Sequence, residues 1–246
     1  SIKQKIIEDE FSSVKDLEIA IKALVKLVKN EKGSLPAFIE NNPSVFDNMV
    51  VLFKHADKKN VRSEESFKLK ILLLNLYLNF YQYDSIEEVI KSIDEQIEDS
   101  KSNDTEDLCL YFLLKGRYFD NKYSSYSKAI VHYEQSLALV NKIKSEDLEF
   151  LVYGRMANFL MNYGKINEAN AIMNKIEKNM PEYLRGNKIP YLPLYYGLKA
   201  DLALEQLSYE KALEYKIKSL ESFDSKNEKR KLLSYVSIGE TLLKMH

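Results

Sequence analysis

Tryptophan is absent from these 246 residues; cysteine occurs once, proline five times and glycine seven times. Each scarcity excludes something. A lone Cys109 rules out an internal disulfide framework and a cysteine-based zinc site, and it suits a reducing, cytoplasmic setting. So few glycines and prolines leave too few turn residues for an all-β or doubly wound α/β chain of this length, and helix remains. Charge of one sign is missing as well. With 36 basic and 37 acidic residues the net charge is -1, so no basic field invites direct nucleic-acid binding. The longest apolar stretch, around Ile71 to Leu78, is far short of the roughly 20 residues of a membrane span. The N-terminus alternates lysine with glutamate and lacks a signal core, so neither export nor a membrane partner is expected.

What is present is repetition. Between Leu151 and Ile176, Ala157 and Ala169 stand 12 apart with Tyr163-Gly164-Lys165 between two helical patterns. Ala200 and Ala212 repeat that spacing. Leading positions at Leu73, Phe112, Tyr153, Tyr196 and Tyr235 are separated by 39, 41, 43 and 39 residues. Small residues at Gly116, Ala157, Ala200 and Gly239 predict a close helix crossing in each unit, since Gly costs about 1 kcal/mol inside a helix unless packing requires it. The turns Gln82 to Ser85, Tyr163-Gly164 and Gln206 to Ser208 predict short antiparallel connections, with Ser85 and Ser208 as N-caps.

These residues resemble the tetratricopeptide repeat (TPR) over about 66 to 244, in the long form with a period near 40 found in bacterial regulators and kinesin light chains. The departures are Tyr77 at a usually small position, Lys115 and Lys199 in place of leucine, and few helix-ending prolines. The resemblance implies an all-α fold: a right-handed superhelical stack of antiparallel helix hairpins, with four units and the first helix of a fifth over residues 63–246. Residues 1–62 form an N-terminal helical cap or divergent first repeat, with apolar positions such as Leu17, Ile21, Leu24 and Val28, expected to pack against Ile71 and Leu74.

Chemistry is sparse. His55, His132 and His246 stand at no metal-ligand spacing with one another, with Cys109 or with paired carboxylates, and no Gly-rich phosphate loop exists. No metal, no cofactor and no catalytic residue are expected. Of the seventeen tyrosines, those at repeat positions, including Tyr77, Tyr133, Tyr153, Tyr196 and Tyr235, are expected in the core. Tyr81, Tyr183, Tyr191 and Tyr195 are candidates for a binding surface.

Taking the small residue as the eighth position, the groove side of each first helix carries the second, fifth, ninth, twelfth and thirteenth. The first unit gives Ile71, Leu74, Leu78, Tyr81 and Gln82; the second gives Leu110, Leu113, Arg117, Asp120 and Asn121. The third gives Leu151, Gly154, Asn158, Met161 and Asn162; the fourth gives Leu194, Gly197, Asp201, Leu204 and Glu205. Arg117, Asn121, Asn158, Met161, Asn162, Asp201 and Glu205 are therefore the candidate site for a protein or an extended peptide, because amides both donate and accept along a peptide backbone. The carboxylate clamp of chaperone-binding members is not reproduced, with Gly154 and Gly197 at its fifth positions.

The functional expectation is a non-catalytic protein- or peptide-binding module, the scaffold or sensor part of a larger protein. An alternative is the sensor domain of a peptide-responsive transcription regulator, or a Rap-like phosphatase modulator in which Gln4 or Gln82 would act on a phosphoryl group. A first residue of Ser, and apolar residues around much of the last helical stretch (Leu232, Leu233, Tyr235, Val236, Ile238, Leu242), lead to one more expectation. Further chain, a partner, or self-association through the C-terminal helix covers that end.

Overall fold

The computed structural model describes residues 13–30, 35–99, 104–143, 145–179, 192–223 and 228–245. Among them stand twelve helices and no strand: α1 (Val14–Lys29), α2 (Leu35–Asn41), α3 (Pro43–Lys58), α4 (Glu64–Asn79), α5 (Tyr83–Asp99), α6 (Thr105–Tyr123), α7 (Tyr126–Val140), α8 (Glu146–Asn162), α9 (Ile166–Asn179), α10 (Leu192–Glu205), α11 (Tyr209–Glu221) and α12 (Glu228–Lys244). The fold is all-α, built from packed pairs of sequential helices. Two compact units divide the chain, 1–139 and 140–246.

Local chemistry sets the helix starts. The side chains of Ser13, Ser63, Asp104 and Ser145 each accept from a backbone N–H in the first turn of α1, α4, α6 and α8, a cap worth about 1 kcal/mol. The hairpin turns share one device. Tyr81, Ser124, Gly164 and Leu207 adopt left-handed backbone, with φ of 56°, 47°, 70° and 57°. Ser208 stands at the start of α11 without a side-chain cap bond. Ser85 is not a cap: left-handed Tyr81 completes the reversal early, so α5 restarts at Tyr83 and Ser85 lies within its first turn.

In the first unit, α4 is the central element. It packs on α1, α2, α3, α5 and α6. Leu69, Ile71, Leu73, Leu74, Leu76, Tyr77 and Leu78 are therefore all buried, and the helix is apolar all round instead of along one stripe. Leu17, Ile21, Leu24 and Val28 of α1 join the same core as Leu73 and Leu74, and Phe46 meets Tyr77 edge-on at 5.6 Å. The sequence boundary at 62/63 thus falls inside a shared core. The first unit also holds one buried charge: Lys70 is fully buried, its Nζ donating to Gln96 Oε1 at 2.8 Å, while Gln96 Nε2 donates to the Ser63 carbonyl at 3.0 Å. The small-residue argument holds at Gly116, where a Cβ would meet the Tyr133 ring at 3.2 Å.

In the second unit, α8 pairs with α9, α10 with α11, and α12 lies on α11. Ala157, Ala169, Ala200 and Ala212 are fully buried, as the 12-residue spacing predicts. Gly239 departs from the expectation, because a Cβ there would meet nothing within 4 Å. Tyr235 departs too. It is 60% exposed instead of core, along with Leu232, Leu233, Val236 and Leu243, since among the described residues α11 is the main support of α12.

Candidate functional site

The seven groove candidates divide between the two units, and each unit is described by itself. In the first, α6 carries Arg117 and Asn121. Arg117 is half-buried and its Nη2 donates to Asn79 Oδ1 of α4 at 3.3 Å, while Asn121 is exposed. Ile71, Leu74 and Leu78, groove positions by phase, are buried because α1 and α3 cover that part of α4. Leu113 is buried as well.

In the second unit α8 packs beside α10, and Gly154 lets them close, its absent Cβ lying 3.3 Å from Leu198 Cδ1. Asn162, Asp201 and Glu205 are exposed and Asn158 is half-buried. Met161 is a correction. It is 6% exposed and belongs to the core, because the twelfth position lies about 100° round the helix from the thirteenth. The open face is therefore narrower than the sequence phase gave, centred on the ninth and thirteenth positions. Among the described residues Asn158, Asn162, Asp201 and Glu205 have no hydrogen-bond or ion-pair partner.

Tyrosines judged available for a surface turn out differently. Tyr195 is buried and its hydroxyl donates to Glu177 of α9, Tyr81 is 72% exposed in a turn, and Tyr183 and Tyr191 lie outside the described residues. The Tyr195 bond belongs to a pattern. Lys199, one turn on, also bonds Glu177. In the first unit Tyr111 donates to Asp94 Oδ1, and Lys115 Nζ reaches both Asp94 oxygens at 2.8 and 2.7 Å. In both places a Tyr and a Lys four residues apart on one helix grip a carboxylate from the preceding helix. Burial and then the carboxylate hold both phenols above their ordinary pKa. Burial pushes Glu177 up, but Lys199 and Tyr195 outweigh it and the carboxyl lies below its usual range. A neutral version joins Tyr153 to Asn141 Oδ1 at 2.8 Å. The lysines that break the repeat pattern at 115 and 199 thus have a packing role, and the recurring Tyr-x-x-x-Lys spacing was the signal for it.

Cys109 is fully buried against Ser136, and burial raises its thiol pKa, which opposes thiolate chemistry. His132 stacks on Phe119 at 5.3 Å and burial lowers its pKa. Gln82 is exposed, and Gln4 lies outside the described residues. Among the described residues no group of three or more His, Cys, Asp or Glu could hold a metal ion, and no helix is long and apolar enough to cross a membrane.

No family model matches the chain, and no curated protein matches it in sequence. Among solved structures it is similar to the crystal structure of BtubC (BKLC) from P. vanneervenii, with a TM-score of 0.57 at 11% identity over 94% of this chain and 83% of that one. Likeness at that identity concerns the fold alone.

Proposed function

We propose that the protein is a non-catalytic, protein- or peptide-binding helical repeat module of the TPR class, acting in the cytoplasm as the scaffold or sensor part of a larger protein. The observation that carries this is the strip on α8 and α10. There Asn158, Asn162, Asp201 and Glu205 present hydrogen-bonding heads that form no hydrogen bond or ion pair among the described residues. Amide and carboxylate acceptors beside amide donors suit the main chain of an extended peptide.

Selection of a random linear peptide library on the purified protein, followed by binding isotherms, tests the reading. Each neutral hydrogen bond nets about 0.5 to 1.5 kcal/mol, so the double change Asn158→Ala and Asn162→Ala should weaken selected peptides by roughly 5- to 150-fold. Unchanged isotherms at matched thermal stability would remove this strip as the site.

A further inference from the structure

A cleft of about 310 Å³ opens between α10, α11 and α12 in the second unit. Lys216 of α11 lines it and is only 9% exposed. Its Nζ donates to the Ser237 carbonyl at 2.9 Å and to Ser237 Oγ at 2.7 Å. An ammonium has three hydrogens, so one remains, and among the described residues no carboxylate stands within ion-pair distance of it. Ser237 Oγ, having accepted from Lys216, keeps its own hydrogen to give. On the facing wall Asp201 of α10 has neither a hydrogen-bond nor an ion-pair partner among the described residues. Burial pushes the Asp201 carboxyl up and the Lys216 ammonium down from their ordinary values, and each charge only partly offsets that shift for the other, since the two stand beyond ion-pair distance. Phe223 and Leu233 add apolar wall, and open space stands where Gly197 lacks a Cβ.

We infer that this cleft is a site for a small zwitterion, a free amino acid whose carboxylate meets Lys216 and Ser237 and whose ammonium meets Asp201. A simple anion would face Asp201 and a simple cation would face Lys216; a ligand with both poles satisfies both walls at once. The volume is at the small end for ligand cavities and matches an amino acid, with its side chain along Phe223 and Leu233. This goes beyond the peptide-binding reading and shares only Asp201 with it.

The test is calorimetric titration of the full chain with each of the twenty free amino acids. For any that binds, its N-acetyl and carboxamide derivatives follow. At least one amino acid should bind, with either cap costing about tenfold or more, since each removes one charge-assisted contact. Lys216→Met and Asp201→Asn should each cost about tenfold as well; Asp201 is exposed, so the second variant reports even if the first unfolds. No binding up to about 10 mM, or capped forms and Asp201→Asn that bind as well as the originals, would overturn the inference. The two readings fail separately. Asn158→Ala with Asn162→Ala should leave amino-acid binding intact, and peptides that still depend on those amides when no amino acid binds would sink only the cleft.

Discussion

Gly164 and Leu207 occupy the same place in two hairpin turns with nearly the same left-handed backbone, φ 70° and 57°. A Cβ in that conformation costs about 1 to 2 kcal/mol by crowding the following carbonyl. Nothing lies within 4 Å of the Cβ that Gly164 lacks, so the effect of Gly164→Ala is backbone strain alone, and chemical denaturation should read a loss of about 1 kcal/mol. Lys70 makes a second residue-scale prediction. Burial, helped by Arg62, lowers its ammonium from 10.5 to about 8. Between those values the unfolded chain holds a proton that the native chain lacks, so raising the pH favours the native state. The stability gap between wild type and Lys70→Met should therefore shift by up to about 3 kcal/mol in favour of wild type from pH 7.5 to 10. Cys109 and the tyrosines work the other way above pH 9, and the comparison cancels them, because both proteins carry them. A gap that does not move with pH would mean that Lys70 is not buried as a lone charge.

At the scale of elements, legibility followed periodicity. The 12-residue spacing of Ala157 with Ala169, and of Ala200 with Ala212, located helix pairs because small residues are required where two helices cross. Phase along each first helix was less readable. Buried and exposed positions of a helix differ by 100° per residue, so one step moved Met161 from the open face to the core. The burial of Ile71, Leu74 and Leu78 could not be read from the repeat at all, because the cover comes from α1 and α3, outside it. Of the Tyr111, Lys115 and Asp94 contact, the recurring Tyr-x-x-x-Lys spacing marks two members, but Asp94 lies on the neighbouring hairpin and its part depends on side-chain reach. A hydrogen bond to a charged group contributes about 1.5 to 3 kcal/mol, so Tyr111→Phe should lower unfolding free energy by that order. No change would mean that Lys115 alone satisfies Asp94.

For the whole molecule, protection is set by how many sides of a helix are covered. Five neighbours enclose α4, whereas α12 rests on α11 and leaves Leu232, Leu233, Tyr235, Val236 and Leu243 more than half exposed. Native-state hydrogen exchange should rank α4 amides slowest and α12 amides fastest, the latter opening without global unfolding. Equal protection in both would show that α12 is covered in solution. The Tyr and Lys grips have a further consequence, for the modularity of the chain. Asp94 meets Tyr111 with Lys115, Asn141 meets Tyr153, and Glu177 meets Tyr195 with Lys199. A hairpin excised and reinserted one place along would present a carboxylate to Val152 and Met156, or a cation to an amide, so successive seams do not match and adjacent hairpins cannot trade places, whereas the seams at Asp94 and Glu177 speak the same chemistry.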